Sequence, residues 1–347
     1  MLPAFSWSPD AMTDQEQKEK QGRMLVVKLS SLGDLFHVLP AVTMIRRSLG
    51  VTVDWVTQPE YVDLVRCFDG VKSVIAFPRR TFAAGFPPFL RALRGARYDF
   101  IRDFLGLLTS ASAARCARGG RRIGPSYSRE GAHLFYHEIA GRKDKARHAV
   151  EEALDFVRHL NIEVGAPEFP VSFPAMEPAG NSPRVVLAPC SRWPTKNWPP
   201  ERFILVGRGL KERAGATLFL VGAPGDRAVC EQIERGIGAG VVNLCGRTSL
   251  VELGSLMQQM NLAITVDSGP MHMAAAVGVP VLAVFGATDP KRTGPYGKAH
   301  RVLVTEGLEC RPCFSDVCRR EDLACLDRVS ADEVLDAALD MLKLNRK

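Results

Sequence analysis

The sequence predicts an α/β protein made of two doubly wound, Rossmann-like domains that face each other across a cleft. Three observations lead there. Short β-rich runs alternate with helix-like segments, the pattern of parallel sheets with crossover helices. A breaker-rich passage at 163–183, EVGAPEFPVSFPAMEPAGNSP, carries five prolines and divides the runs into two series. The length, 347 residues, suits two cores better than one.

In chain order, residues 1–23 lack a continuous apolar segment and turn polar towards their end, so they read as a disordered extension rather than a signal peptide. Strands are expected at Met24–Leu29, Thr52–Val56, Ser73–Phe77 and Asp99–Arg102. These belong to a first domain, 24–165, followed by a linker at 166–183. A second domain, 184–329, contributes Arg184–Ala188, Thr217–Val221, Val241–Leu244, Leu262–Val266, Val281–Phe285 and Arg301–Val304. The segment 330–347 opens with Ser330 and has Glu333 three residues on, a capping-box pattern. Val334, Leu335, Ala338, Leu339 and Leu342 then form one apolar helical face.

Composition narrows the class. At 46% hydrophobic and 24% charged residues the chain is an ordinary globular one. No apolar run reaches the roughly 18–20 residues that span a bilayer. Nine cysteines without a secretory signal point to a reducing cytoplasm. The net charge of +7 is unevenly placed: from Arg79 to Arg147 there are 15 Lys and Arg against 5 Asp and Glu. Such a block is either a set of solvated helix faces or a surface for a polyanionic partner.

In open α/β sheets ligands bind beyond the carboxyl ends of the strands. Four stretches sit there: Ser30-Ser31-Leu32-Gly33-Asp34, Pro189–Pro199, Val221–Asp226 and Thr265–Ala276. Asp267-Ser268-Gly269 before an Ala-rich helix offers free N–H groups and a positive dipole end, which suits a diphosphate. Asp267 and His272 are placed for hydroxyl or phosphate contacts; an N-capped core helix is the structural alternative. Lys196 supplies a point charge for a phosphate. Trp193 or Trp198 could stack on a base or sugar, with core packing favoured for Trp198. Asp226 suits ribose hydroxyls or is a solvated loop acid. Asp34 is a candidate base or a helix cap. There is no G-x-x-x-x-G-K-[ST], no strand-linked G-x-G-x-x-G, and no D-x-D to hold a divalent metal.

Taken together, VVKLSSLGDLFHVLPAV near the start, TKNWP, GRTSLVELGSLM (246–257) and VDSGPMHMAAAVGVPVLAVFGATDPKRTGPYG (266–297) resemble the ADP-heptose–lipopolysaccharide heptosyltransferases. The likeness covers most of 24–304 and implies the GT-B arrangement. The passages 98–114 and 133–154 resemble the branch that adds the first heptose to Kdo. The resemblance implies inverting transfer of L-glycero-D-manno-heptose from ADP-heptose to the Kdo or inner-core region of a lipid A acceptor, with no cofactor. It implies Asp34 as general base. The donor would lie against Ser191, Lys196, Asp226, Thr248, Asp267, Ser268, Gly269 and His272. The basic block would then meet acceptor phosphates and Kdo carboxylates, with Arg79, Arg80, Arg121 and Arg122 as candidates. It further implies peripheral contact with the cytoplasmic face of the inner membrane, and no nucleic acid partner.

Cys310, Cys313, Cys318 and Cys325 fall within 16 residues. They could bind zinc, but the spacing lacks a second C-x2-C, so reduced thiols or disulfides are favoured over a metal. Two other readings compete with the transferase: a nucleotide-sugar epimerase on the same scaffold, and a non-catalytic lipopolysaccharide- or nucleotide-binding protein. The basic half argues against the first, and the presence of Asp34, Lys196 and Asp267 against the second.

Overall fold

The computed structural model describes residues 22–79, 82–144, 146–176 and 182–344. Two six-stranded parallel sheets form its frame. The first contains β1 (Arg23–Val27), β2 (Thr52–Thr57), β3 (Val71–Ala76), β4 (Arg97–Asp103), β5 (Arg118–Pro125) and β6 (Glu138–Ala140), in the order β3-β2-β1-β4-β5-β6. The second contains β7 (Arg184–Ala188), β8 (Thr217–Leu220), β9 (Val241–Asn243), β10 (Leu262–Val266), β11 (Val281–Phe285) and β12 (Arg301–Val304), in the order β12-β11-β10-β7-β8-β9. The longer helices are α1 (Leu32–Leu49), α2 (Phe82–Arg94), α3 (Leu108–Cys116), α4 (Pro200–Ala214), α5 (Arg227–Ile237), α6 (Leu250–Met257), α7 (Gly269–Ala276) and α8 (Ala331–Leu344).

Central strands form where apolar residues run without interruption, because both faces are covered. All five residues of β10 and of β11 are buried, as are the last four of β1. Trp55, Phe36, Phe68, Phe104 and Phe156 are fully buried in the first domain. Each such side chain contributes about 1.5–3 kcal/mol relative to exposure.

Two strands escape the sequence pattern. β5 (RGGRRIGP) is polar, glycine-bearing and half open, and β6 has three residues. Neither has an apolar run to betray it. The extension expected over 1–23 lies outside the described residues up to 21, but Arg23 opens β1, paired with Thr52. The final helix begins as the capping box predicts: Ser330 N–H donates to Glu333 Oε2 at 2.8 Å, and Glu333 N–H to Ser330 Oγ at 3.2 Å.

The described part of the linker, up to residue 176, fastens to both domains. Val171 bridges Phe68, Arg47 pairs with Glu168 at 2.8 Å, and the Phe173 ring lies over Gly254 of α6. A Cβ at Gly254 would come within 2.3 Å of that ring, so only glycine admits it. Among the described residues no helix is long and apolar enough to cross a membrane.

Candidate active site

In each sheet the first strand is flanked on one side by the second and on the other by the fourth: β1 lies between β2 and β4, and β7 between β8 and β10. That reversal opens a crevice at the carboxyl edge. The loops after β1, β7 and β10 lead from these crevices, and they bring Asp34, Lys196 and Asp267.

α1 starts at the crevice because Ser31 caps it. Asp34 Oδ2 accepts from Ser31 N–H at 2.9 Å and from Ser31 Oγ–H at 3.0 Å. Asp34 is therefore a capping acid, yet one oxygen remains for other work. Its side chain is 42% open to solvent, and Oδ1 stands 3.5 Å from His37 Nδ1. Lost hydration in the cleft raises its pKa, but the Lys28 ammonium, the His37 ring and the Ser31 N–H outweigh this. The carboxyl is held well below the usual carboxylate range. Lys28 is itself buried and donates to Phe104 O at 3.1 Å.

Across the cleft, Lys196 Nζ pairs with Asp267 Oδ2 at 2.8 Å, and Thr288 Oγ1 donates to the same oxygen at 2.6 Å. Lys196 also lies 4.6 Å above the Trp193 ring, a cation–π contact. Ser268 caps α7 in position, but its hydroxyl is buried without a hydrogen-bond partner among the described residues. An orphaned hydroxyl beside free helix N–H groups is a ready donor to phosphate oxygens. Ser191 N–H donates to Asn197 Oδ1 at 2.6 Å, which shapes the loop that carries Lys196. Asp226 spends Oδ2 on Ala223 N–H at 2.8 Å and keeps its other oxygen. Thr248 stands half-buried just before the N-cap of α6. Trp198 is 1% exposed, donates from Nε1 to Val329 O at 3.1 Å and meets the Phe203 ring edge-on at 5.0 Å, so it packs the core.

The two domains touch at their helix tips. A Cβ on Gly33 would approach His272 Cδ2 to 2.3 Å, and one on Gly269 would meet Leu32 at 2.5 Å. His37 Nε2 lies 3.1 Å from His272 Nδ1. Further along the boundary, His148 Nε2–H donates to Gly294 O at 3.0 Å and Tyr296 OH to Glu151 Oε1 at 2.7 Å. A run of rings results: His272–His37 at 4.4 Å between centroids, His37–His148 at 5.6 Å, His148–Tyr296 at 5.0 Å and Tyr296–Phe169 at 6.0 Å. Burial pushes the His148 imidazole down to about 4, and the His272 imidazole well below its ordinary value.

The basic block does not form one face. Arg97 and Arg118 are partners at the first positions of β4 and β5, on the edge opposite the cleft, and Arg94 Nε there donates to Cys116 O at 3.1 Å. Arg102 is buried, and Arg147 is clamped on Asp155 at 2.8 Å. Of the named arginines, Arg79 stands on the cleft side beside Gln58, whose amide oxygen accepts from it at 3.0 Å. Arg80 lies outside the described residues. Arg121 pairs with Glu138 at 2.7 Å, and Arg122 Nε donates to Phe135 O at 3.3 Å, so both are held by the β6 segment. Arg192, overlooked by sequence, acts on Tyr61: burial raises that phenol, and Arg192 draws it back.

All nine cysteines are free. Cys310, Cys313, Cys318 and Cys325 line a cavity of about 290 Å³ with Arg311 and Thr195. Among the described residues no three His, Cys, Asp or Glu side chains are grouped to hold a metal ion.

Two crevices that face each other, with an anion-binding helix tip on one side and a carboxylate on the other, define a two-domain glycosyltransferase of the GT-B kind. Residues 88–324 match glycosyltransferase family 9 (heptosyltransferase), and the chain belongs to that family. It is 27% identical to lipopolysaccharide heptosyltransferase 1 of Pseudomonas aeruginosa, over 85% of this chain and 87% of the relative. It is 30% identical to lipopolysaccharide heptosyltransferase 1 of Salmonella typhimurium, over 80% and 92%. Its fold is similar to the E. coli heptosyltransferase WaaC solved with ADP, at a TM-score of 0.74 and 26% identity, covering 93% of this chain and 99% of that one.

Proposed function

We propose that this chain moves L-glycero-D-manno-heptose from ADP-heptose to the Kdo region of a lipid A-bearing lipopolysaccharide precursor, with inversion. The observation that carries the reading is the pairing across one cleft of an ionised acid, Asp34, with Lys196 and the N-terminus of α7. Asp34 Oδ1 takes the proton of an acceptor hydroxyl while its oxygen bonds to the anomeric carbon. The bond from that carbon to the diphosphate breaks on the opposite face, and ADP leaves with the electron pair. Lys196, Ser268 and the α7 N–H groups stabilise the developing charge. Asp226 and Thr248 serve the nucleoside, Ser191 a phosphate, and Asp267 and His272 the sugar.

In this reading residues 24–165 bind the acceptor and 184–329 the nucleotide sugar, with 166–183 as linker. Arg79 and Arg80 are the foremost contacts for acceptor anions; Arg121 and Arg122 reach them only by giving up their present partners. Support comes from relatives named lipopolysaccharide heptosyltransferase 1 and from the similar E. coli protein solved with ADP-2-deoxy-2-fluoro heptose. A lipid-borne acceptor brings the protein to the cytoplasmic face of the inner membrane, as a peripheral visitor.

Purified protein mixed with ADP-heptose, ADP-glucose, UDP-glucose or GDP-mannose and Kdo-lipid A tests this by product mass. The expected result is one added heptose, from ADP-heptose alone. Faster transfer from another nucleotide sugar, or no product on Kdo-lipid A, overturns it.

A further inference from the structure

We infer that His37 is a positioning residue for Asp34, anchored by His272 of the opposite domain, so that the carboxylate takes its reactive orientation only when the domains are closed. The inference rests on Asp34 being the base.

Asp34 and His37 lie three residues apart on α1, and such residues share one face of a helix. The Asp34 carboxylate is pinned at one oxygen only, Oδ2, by Ser31. One pinned oxygen leaves the carboxylate free to swing about that point. A second contact at Oδ1 fixes its plane, and the nearest candidate is His37 Nδ1 at 3.5 Å. That nitrogen is buried and has no hydrogen bond among the described residues. A buried imidazole nitrogen seldom stays unpaired. Catalytic hydrogen bonds are often long before substrate arrives and tighten in the complex. A shift of a few tenths of an ångström suffices here.

Hydrogen-bond logic then fixes a direction. An ionised carboxylate only accepts, so His37 Nδ1 carries a proton towards it; in the neutral ring Nε2 is then left as an acceptor. The partner 3.1 Å away, His272 Nδ1, must donate to it. His272 Nε2 remains an acceptor for a ligand hydroxyl. Around this pair, His148 stands edge-on to His37 at 5.6 Å, while Lys28 and Lys196 act on Asp34 and His272 respectively. When the domains part, His37 loses His272 and its ring is free to turn. Deprotonation of the acceptor is thereby tied to closure over the donor.

Asparagine and glutamine separate the two arms. His37→Asn places an N–H near the former Nδ1, towards Asp34. His37→Gln reaches towards His272 instead. In steady-state transfer with ADP-heptose and Kdo-lipid A, His37→Ala is expected to lose about 100-fold in kcat, with KM values and ADP affinity nearly unchanged. His37→Asn should recover much of that loss and His37→Gln little. Equal kcat in the Asn and Gln variants, or an Ala variant within a few-fold of the parent, overturns the inference. So does loss of folding in both polar variants, seen by near-UV circular dichroism, which marks a packing role. Asp34→Asn in the same assay keeps the two claims apart. If it is inactive while the His37 variants are normal, only the positioning role fails; if it is active, the base assignment fails and the inference with it.

Discussion

Gly33 of the first domain and His272 of the second approach so closely that a single methyl group on the glycine would fall 2.3 Å from the imidazole ring. The contact joins the N-terminal turns of α1 and α7, so the spacing of the domains is written into one missing side chain.

Gly33→Ala tests this directly. Alanine favours a helix over glycine by about 1 kcal/mol, which works for stability. Overpacking at the contact costs about 1–3 kcal/mol, which works against closure. The expected result is a melting temperature near that of the parent with transfer reduced at least tenfold. Unchanged transfer would show that the cleft works at a wider spacing.

Asp34→Asn keeps a carbonyl oxygen for the Ser31 cap and cannot accept the acceptor's proton. It should stay folded, bind ADP-heptose normally and lose about 10²–10⁴-fold in turnover. Turnover within a few-fold of the parent would leave Asp34 as a cap alone.

Lys196→Ala removes the cation paired with Asp267. Hydrogen bonds to charged groups are worth about 1.5–3 kcal/mol, so ADP-heptose affinity should fall by one to two orders of magnitude. Calorimetric titration measures it; equal affinity removes Lys196 from the diphosphate site.

Transfer should persist in excess EDTA, because the sequence has no D-x-D and Lys196 stands beside α7 at the proposed diphosphate site. Activity lost to EDTA and restored by magnesium would refute this. Restoration by zinc alone would redirect attention to Cys310, Cys313, Cys318 and Cys325.

Stability should fall as pH drops from about 6.5 towards 4. His148 stays neutral in the folded chain down to about 4, because burial outweighs its bond to Gly294 and His37 opposes its charge. In the unfolded chain it protonates near 6.5. Over that window the unfolded state binds more protons, so stability rises with pH. Melting temperatures of the parent and His148→Gln, measured from pH 4 to 7, should converge at the acid end. Parallel curves would contradict this.

Ten of the twelve strands are legible because continuous apolar runs mark buried parallel strands; β5 and β6 lack such runs. Asp34, Lys196 and Asp267 stand out because each follows a strand and precedes a small-residue turn or a helix. Thr288 and Arg192 do not, since their roles come from neighbours distant in sequence. The same holds for the meeting of His37 with His272, 235 residues away. The basic block is dispersed for a topological reason. In a parallel sheet each crossover returns the chain to the starting edge, so Arg97 and Arg118 open their strands on one rim while Arg79 follows β3 on the other.

The rings of His272, His37, His148, Tyr296 and Phe169 have a mechanical consequence. Close-packed groups resist compression and pass on displacement. Two of its contacts cross the boundary, His272–His37 and His148–Tyr296, and a third, Tyr296–Phe169, reaches the connecting chain. With the cleft shut, the row keys both domains and the segment between them into a single register.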